Sequence, residues 1–477
     1  GALPEETTIM SIFMRQATGR TTSVISFLAL LIFLPLFIMA VGQTITLMSR
    51  AAGAPANIIV DTTSKLEVIK TDFYHAFAQG GEESTDMLAS ITNDVKALKP
   101  KLIRLDHLYD HYDVVGRDGN GLTFNWSKLD AVINTVTSIG AKPVLALSYM
   151  PGVIAKEGNI INPPNDWNEW AQVVQKTIEH YSGRGERNMS GIYYEVWNEP
   201  DLAQFGSWKL GGEKNYLTLY RYAATGANNA QNVNTFYLGG PVTTGLYKSW
   251  ILALVESGVR VNFFAWHSYL AEPERFATDQ RNIIQWLLPY PNYTLLPKLI
   301  TEFGFTGSKS AAYGSTYAAA HATAVIRQLI SGGPAYLFSF QLKDGPLQSD
   351  GTGWGLITHD DNGLRKKPRY HIYNFLDAMA GTRLQLSGEG SWVTGFASVR
   401  DDISRVLLVN FDANGSHSEQ VPVKFTNLAP GTYQLRQRLL FGKDTTTSYD
   451  VSEGSLATDI FLSAQSVAIL ELSKKTN

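Results

Sequence analysis

The chain contains no cysteine among its 477 residues. Disulfide bonds, thiolate metal sites and a cysteine nucleophile are therefore excluded. Long basic segments are also missing, and 40 Lys and Arg against 43 Asp and Glu give a net charge of -3. Because nucleic-acid binding needs clustered cations, the sequence predicts no nucleic-acid partner.

Motifs of several common enzyme classes are absent as well. The chain has no HExxH zinc-protease motif, no GxSxG nucleophile elbow and no glycine-rich phosphate loop. The stretch HDDNG, His359 to Gly363, lacks the spaced carboxylates of a calcium loop, which indicates a turn. We therefore predict no metal site and no organic cofactor.

An apolar run without any charge, VISFLALLIFLPLFIMAVG, occupies the 19 residues 24–42. A helix of that length spans roughly 28 Å, which is close to the hydrocarbon thickness of a bilayer. The run therefore predicts a transmembrane helix or signal anchor with the lipid bilayer as partner. A cleaved signal peptide is the alternative, and the protein would then be secreted.

The charges around this run set the predicted topology. Arg15 and Arg20 precede it, and only Arg50 follows soon after. The positive-inside bias makes residues 1–23 a cytoplasmic tail and residues 43–57 a linker to an outward-facing remainder of the chain. The sequence thus predicts a single-pass protein of the cell membrane and leaves partners in a membrane complex open.

Residues 58–380 alternate apolar segments with helical patterns. The apolar segments are almost continuous, which is typical of a parallel sheet covered on both faces. About eight strand–helix units follow one another, with an ill-defined first strand near Leu66 to Ala78. This pattern predicts an α/β fold of the (β/α)8 TIM-barrel type, with a doubly wound open sheet as the alternative.

The pattern of apolar and polar residues changes in residues 381–477. Short alternating segments such as SRVLLVNFD and QVPVKFTNL are separated by Asn-Gly, Pro-Gly and Ser-Glu-Gly turns. Alternation with a period of two is typical of half-buried strands. We predict a C-terminal β-sandwich.

Three carboxylates lie close together in the stretch YYEVWNEPD, which begins at Tyr193. Alternation along a strand puts Glu195 and Glu199 on one side, with Glu199 at the C-terminal lip of a barrel and Glu195 about two layers below. Asp201 then belongs to the following loop. A carboxyl group in a partly apolar barrel mouth can stay protonated and act as a general acid, whereas a deeper one more often pairs with a base.

The second candidate carboxylate is Glu302 in LITEFGF, at the lip of the predicted seventh strand. Strands four and seven of an eight-stranded barrel are nearly opposite, so Glu199 and Glu302 can face each other. Two carboxylates about 5–5.5 Å apart are what retaining glycoside hydrolysis requires.

Four motifs carry a resemblance to a known family. WNEPD follows a strand, TEFG comes about a hundred residues later, HSY lies between them, and AKPVLALSYMP lies upstream. In this order they make the chain resemble the clan A glycoside hydrolases and, within that clan, family 39. That family includes β-xylosidases, α-L-iduronidases and bacterial exopolysaccharide endoglycosidases of the Psl-degrading type. The resemblance covers roughly Leu66 to Met379 and implies an accessory β-sandwich.

The resemblance implies a role for each matching residue. Glu199 matches the acid/base and Glu302 the nucleophile, and Asn198 matches the residue that hydrogen-bonds the sugar 2-hydroxyl. His267 and Tyr269 of HSY would border the nucleophile.

Two further residues, Arg104 and His107 of IRLDH, match a basic position on the second strand. A cation there would keep the nucleophile ionised. The last strand, YLFSFQLKDG, departs from the family because it lacks the Trp on which many members stack a sugar; Phe338 or Phe340 is the expected substitute. Asp344 after this strand is either a substrate contact or a turn residue.

The sequence therefore predicts a retaining glycoside hydrolase that acts on an extracellular or cell-envelope polysaccharide. The alternative is a non-catalytic, glycosidase-like sugar-binding or scaffolding subunit, because a fold alone does not establish activity. The separation of Glu199 and Glu302, and the presence of a cleft leading to them, distinguish the two hypotheses.

Overall fold

The computed structural model describes residues 53–346 and 351–475. The predicted cytoplasmic tail and transmembrane helix, residues 1–42, lie outside these ranges. Across the residues described, no helix combines the length and the apolar character needed to cross a bilayer. The unit Ala56–Asn477 contains all elements named below.

Eight parallel strands close into a barrel, which confirms the predicted TIM-barrel architecture. The first eleven strands in chain order are β1 (Ile58–Val68), β2 (Ala76–Gln79), β3 (Leu102–Leu105), β4 (Val115–Asp118), β5 (Gly121–Phe124), β6 (Lys142–Leu147), β7 (Ile192–Val196), β8 (Phe236–Thr243), β9 (Phe263–Tyr269), β10 (Lys298–Gly304) and β11 (Tyr336–Phe340). The closed order is β10-β11-β2-β3-β6-β7-β8-β9, and β4 and β5 form a separate hairpin.

Amphipathic helices cover the outside of the barrel. Their bounds are Thr92–Ala97, Ser127–Ile139, Trp167–Ser182, Tyr216–Asn229, Lys248–Glu256, Pro273–Leu287, Pro291–Thr294, Thr316–Leu329 and Pro368–Ala378. In the helix Ser127–Ile139 the buried side chains recur at the three- and four-residue spacing of one helix face: Leu129, Val132, Ile133, Val136 and Ile139. Gly140 ends this helix with a left-handed φ of 98°.

The barrel interior changes from aromatic at its base, where the strands begin, to charged at its mouth, where they end. Near the base, the ring centroid of Tyr193 lies 4.8 Å from that of Tyr237 and 5.1 Å from that of Phe263. Higher up, Ala78 is paired in register with Arg104. The small alanine leaves room for the guanidinium to cross the barrel.

The C-terminal strands form a second domain, which we call the β-domain. Its later strands are β12 (Thr382–Ser387), β13 (Val393–Arg400), β14 (Ile403–Asn410), β15 (Glu419–Thr426), β16 (Gly431–Leu439), β17 (Thr445–Val451), β18 (Ser455–Leu462) and β19 (Ser466–Lys474). Their sheet has the order β17-β16-β19-β14-β13-β12-β1-β15-β18. Gln437 of β16 donates a hydrogen bond to Thr458 of β18 at 3.1 Å, so the sheet folds over on itself in a sandwich-like arrangement.

Strand β1 belongs to this sheet and not to the barrel, which differs from the predicted boundary at residue 58. It pairs antiparallel with β12 and parallel with β15. Ile58 and Val60 are buried and Ile59 is exposed, the alternation of a strand with one buried face. The first barrel strand is therefore β2, at the end of the predicted range Leu66 to Ala78.

The helix Thr316–Leu329 joins the barrel to the β-domain. Arg327 in its last turn forms an ion pair with Glu389, in which the Nε–Oε1 distance is 2.6 Å. The rings of Tyr317 and His321 pack edge-on against Phe411, with centroids 5.3 and 5.4 Å away. These polar and aromatic contacts hold the sandwich against the outside of the barrel.

Candidate active site

The two glutamates predicted to carry the chemistry lie together at the barrel mouth. Glu199 follows β7, and Glu302 lies on β10. Three atoms lie within 4.8 Å of one another: one carboxylate oxygen of Glu199, one carboxylate oxygen of Glu302 and one ring nitrogen of His267. Both glutamates line an open cavity of about 500 Å³, which is the size of a small-molecule site.

Arg104 of β3 holds the nucleophile candidate in place from below. Its Nη1 donates to Glu302 Oε1 at 2.8 Å, its Nε to Glu195 Oε2 at 2.6 Å, and its Nη2 to Asn198 Oδ1 at 2.8 Å. Burial disfavours the charged form of Arg104 and lowers its pKa. The nearby carboxylates of Glu195 and Glu302 outweigh this effect and raise the pKa above its usual value. The guanidinium therefore stays charged and fixes both glutamates and the amide.

His267 of β9 stands between the two glutamates. Its Nδ1 lies 2.8 Å from Oε1 of Glu199 and 3.5 Å from Oε2 of Glu302. Its Nε2 is buried without a hydrogen-bond partner in the described structure, so the single proton of the neutral ring belongs on Nδ1. Tyr269, two residues further, donates its hydroxyl to Glu302 Oε2 at 2.7 Å.

The environment gives the two carboxyl groups different pKa values. Burial raises the pKa of Glu199 to about 8; Asp201 adds to the increase, and Arg104 opposes it. Burial also raises the pKa of Glu302 to about 7, against the effects of His267 and Arg104. Because burial lowers the pKa of His267, that ring is neutral near pH 7. Glu199 therefore keeps its proton to higher pH than Glu302 does.

The loop after β7 presents Glu199 in an uncommon backbone conformation. Trp197 and Glu199 have positive φ values of 75° and 43°, which non-glycine residues rarely adopt. Two contacts hold the loop: the Trp197 indole donates to the Phe205 carbonyl at 2.9 Å, and the Glu199 amide donates to the Val242 carbonyl at 3.0 Å. A neighbouring strand and the following turn of the loop thus enforce the position of the carboxylate.

The structure separates the two basic candidates of the second strand. Arg104 is fully buried behind the carboxylates, whereas His107 lies on the cavity wall. The Nδ1 of His107 lies 2.6 Å from Asp110 Oδ2, and no ion pair to Glu302 is found for it in the structure described. The contact expected to keep the nucleophile ionised is therefore made by Arg104 alone.

Three other carboxylates have structural partners. Glu195 pairs with Arg104, as expected for the deeper residue of the strand. Asp201 accepts a hydrogen bond from the Thr244 amide at 3.0 Å and also binds its hydroxyl. Asp344 is buried and pairs with Lys367 at 2.6 Å, so it serves the turn after β11 rather than the cavity.

Sequence reasoning missed several side chains of the site. The Asn198 amide donates to the Tyr149 hydroxyl at 2.8 Å, so Tyr149 of the AKPVLALSYMP motif orients it. Phe340 lines the cavity as expected, but Phe338 is buried inside the barrel. Trp354, from the loop after β11, also lines the cavity, with its ring centroid 5.9 Å from that of Phe340. The expected aromatic wall is thus built from a strand and a loop.

Two groups of side chains in the described part of the chain have the spacing of metal ligands. One is Glu199, His267 and Glu302, and the other is His107, Asp110 and His111. Hydrogen bonds within the barrel mouth account for the first group. The prediction that the protein uses no metal or cofactor stays a prediction.

Comparison with known proteins agrees with this geometry. The chain is 28% identical over 317 residues to a beta-xylosidase of Caldicellulosiruptor saccharolyticus, which covers 59% of this chain and 62% of that protein. It is 24% identical over 305 residues to a beta-xylosidase of Geobacillus stearothermophilus, with 56% and 58% covered. The chain thus spans about three fifths of the length of each of these relatives.

The fold is also found in a solved structure. The crystal structure of a monomeric beta-xylosidase from Caulobacter crescentus CB15 matches with a TM-score of 0.74 at 19% identity, covering 88% of this chain and 100% of that one. The model of glycosyl hydrolases family 39 matches residues 81–421, more than two thirds of the sequence. The chain therefore belongs to glycosyl hydrolases family 39.

Proposed function

We propose that the protein hydrolyses glycosidic bonds with retention of configuration at the anomeric carbon. The observation that carries the proposal is the pair Glu199 and Glu302, whose carboxylate oxygens approach within 4.8 Å in one open cavity. Retaining enzymes place their carboxyl groups about 5–5.5 Å apart, and inverting enzymes leave about 6.5–9.5 Å for a water molecule. An approach this close between oxygens of the two carboxyl groups supports the retaining arrangement.

The first step divides the work between the two carboxyl groups. The ionised Glu302 attacks the anomeric carbon and forms a glycosyl ester while the bond to the leaving oxygen breaks. Glu199 gives its proton to that oxygen, so the leaving group departs as an alcohol. Arg104 and Tyr269 aim the oxygens of Glu302 through hydrogen bonds of 2.8 and 2.7 Å.

The second step reverses the proton transfer. Glu199, now ionised, takes a proton from water as the water oxygen attacks the anomeric carbon. The ester bond breaks, Glu302 leaves as a carboxylate, and Glu199 is protonated again. Its raised pKa, about 8, suits both the acid and the base role near neutral pH.

The cavity supports a sugar as substrate. Phe205, Phe340 and Trp354 offer apolar ring faces, and Asp106 and Gln204 offer polar groups to hydroxyls. Two relatives are named beta-xylosidases, so we propose a xylopyranoside as the first candidate for the sugar whose bond is cleaved. The larger substrate is proposed to be an extracellular or cell-envelope polysaccharide.

Trapping with activated 2-fluoro glycosides tests the nucleophile and the sugar together. A panel of such reagents should label one peptide, with the adduct on Glu302, and the sugar that reacts fastest identifies the preferred substrate. Proton NMR of the first product formed should show the anomer of the substrate. Labelling elsewhere, or an inverted first product, would refute the mechanism.

The rival hypothesis, a non-catalytic sugar-binding subunit, makes an opposite prediction. It requires binding of a glycoside in the cavity without turnover and without a covalent adduct. The open cavity and the donors around Glu302 favour catalysis over this alternative. Calorimetric binding with no product after prolonged incubation, across the whole panel, would favour the subunit.

We further propose that the catalytic part faces outward from a cell membrane through residues 24–42, the prediction that rests on the apolar run. Fractionation of cells that express the 477-residue chain should find it in the membrane pellet after carbonate washing. Deletion of 24–42 should release it. Recovery of the intact chain in the soluble fraction would contradict the proposal.

A further inference from the structure

A second cluster of ligand-type side chains, separate from Glu199 and Glu302, begins at His107 on the cavity wall and continues through Asp110 and His111. The His111 amide donates to the His107 carbonyl at 3.3 Å, which closes one helix-like turn after β3. Residues four apart in such a turn lie on one side. The two imidazole rings accordingly stack, with centroids 4.3 Å apart and planes 19° from parallel.

Asp110 faces both imidazoles with one carboxylate oxygen. Its Oδ2 lies 2.6 Å from Nδ1 of His107 and 3.5 Å from Nδ1 of His111. The side chain of Asp110 is 10% exposed, and those of His107 and His111 are 21% and 24% exposed. An ion in solution can therefore reach two nitrogens and one oxygen that lie within 4.8 Å of one another.

The tautomer of His111 leaves its nitrogen in this cluster without a proton. Its Nε2 lies 2.8 Å from the Gly81 carbonyl oxygen, which can only accept, so Nε2 carries the proton. In the neutral ring Nδ1 is then a bare lone pair, and it faces the carboxylate Oδ2 of Asp110. Two acceptors 3.5 Å apart repel each other unless a proton or a metal cation lies between them.

The backbone carbonyl of Gly81 accepts the hydrogen bond from His111 Nε2, as such acceptors do for histidine ligands of bound metals. A histidine ligand commonly donates its second N–H to a carbonyl or carboxylate, which fixes the tautomer and the ring orientation. A Cβ at Gly81 would lie 2.6 Å from Cβ of His107, so the glycine makes room for this arrangement. Asp106, which binds the Gly81 amide at 2.7 Å, adds negative charge nearby.

We propose that His107, Asp110 and His111 form a binding site for a divalent transition metal of the zinc type, with water completing the coordination. Two imidazole nitrogens and one carboxylate oxygen suit zinc, and a tetrahedral ion with bonds near 2.0 Å places its ligand atoms about 3.3 Å apart. The two distances to Asp110 Oδ2 bracket that value. His107 must move outward from its hydrogen bond and His111 inward. Both rings must also turn out of their stacked arrangement, because the lone pair of Nδ1 lies in the plane of its ring.

Zinc binding to the full chain tests the proposal without depending on the proposed hydrolase mechanism. After removal of metals with a chelator, calorimetry at pH 7.5 should find one zinc ion per chain. The variants Asp110→Asn and His111→Ala should each bind at least about 100-fold more weakly. Cobalt should give the visible absorption of a four- or five-coordinate site in the wild type and lose it in both variants.

Two control variants distinguish zinc at this cluster from zinc at a surface histidine or at the catalytic carboxylates. His417 is 23% exposed and lies 2.7 Å from Glu419, but it belongs to no three-ligand group in the described residues; His417→Ala should keep zinc binding unchanged. Glu302→Gln should also keep it. Loss of zinc in Glu302→Gln with retention in Asp110→Asn and His111→Ala would place the ion between the catalytic carboxylates and overturn the proposal. Absence of zinc or cobalt binding by the folded wild type would overturn it as well.

Discussion

The mouth and the base of the barrel fill their interior in different ways, the mouth with buried charged groups and the base with aromatic rings. At the mouth, Arg104, Glu195 and Glu302 form an ion-pair network with almost no exposure. At the base, Tyr193 and Tyr237 pack by their rings and remain partly exposed. Burying charge is costly, and packed apolar groups of the same volume often stabilise a protein more. The arrangement at the mouth therefore positions charged groups at a cost in stability. The packed rings at the base stabilise the barrel and position no charge.

Among substitutions at the barrel mouth, Glu302→Ala should cause the largest loss of activity. Loss of the nucleophile should lower kcat by on the order of 10⁴ to 10⁶. Steady-state kinetics on an aryl glycoside measures this, with circular dichroism to verify folding. Added azide should restore part of the rate by attacking from the vacated position, with inversion of configuration. Full activity of the variant would refute the role of Glu302.

Glu199→Gln should cause the second-largest loss of activity, and the size of that loss should depend on the leaving group of the substrate. General-acid catalysis contributes about 10² to 10⁴, and only poor leaving groups need the proton. The value of kcat/KM should therefore fall strongly for alkyl or sugar leaving groups and little for dinitrophenyl glycosides. Equal losses on both substrate types would contradict the acid role.

Tyr269→Phe should cost less, because the carboxylate of Glu302 keeps its bond from Arg104. A hydrogen bond to a charged group contributes about 1.5–3 kcal/mol, or roughly 10- to 150-fold in kcat/KM. Since the hydroxyl stabilises the ionised form, its removal raises the pKa of Glu302, and the acidic limb of the pH profile should move upward. Tyr220→Phe is the control, because that hydroxyl donates to the Arg260 carbonyl away from the cavity; its acidic limb should stay in place.

The wild-type pH profile should be a narrow bell. Below about 7, protonation of Glu302 removes the nucleophile, and above about 8, ionisation of Glu199 removes the acid. Because the two groups interact, the measured limbs belong to the pair. The kcat/KM of an alkyl glycoside should therefore peak between these values and fall about tenfold per unit beyond them. A broad plateau from pH 4 to 7 would show that Glu302 ionises far more easily than its burial indicates.

Tyr193→Ala should affect the base alone. Truncation of this ring should lower the free energy of unfolding by about 3 kcal/mol and leave kcat and KM of the folded protein unchanged. Urea denaturation with parallel kinetics measures both quantities. A changed KM would mean that packing at the base influences the site at the mouth. This would contradict the separation of stability and charge positioning between the two regions.

The sequence was sufficient to predict the barrel and the meeting of Glu199 and Glu302 at its mouth, and the reasons are local. Continuous apolar strands separated by helices are typical of a parallel sheet, and the strand period puts Glu195 and Glu199 on one side. Glu302 could be paired with Glu199 because barrel closure sets which strands face each other. These inferences need only short-range patterns and one rule of topology.

Contacts made across the fold were harder to predict. The alternation in 58–68 indicates a strand, but nothing local shows that its partners are β12 and β15. Arg104 and His107 are three residues apart, and only the turn after β3, which directs His107 to Asp110, leaves Arg104 as the one of the two that reaches Glu302. Trp354 lies on a loop, where no period fixes the direction of a side chain.

The pairing of β1 has a consequence for synthesis. Ile59 pairs with Ser387, so more than 300 residues, including the whole barrel, are made between a strand and its partner. Translation at about 5–20 residues per second separates the two by at least roughly 15 s. The barrel is thus an insertion within the β-domain, which is the last part of the chain to close, and a ribosome that stalls before Ser387 leaves β1 as an unpaired edge.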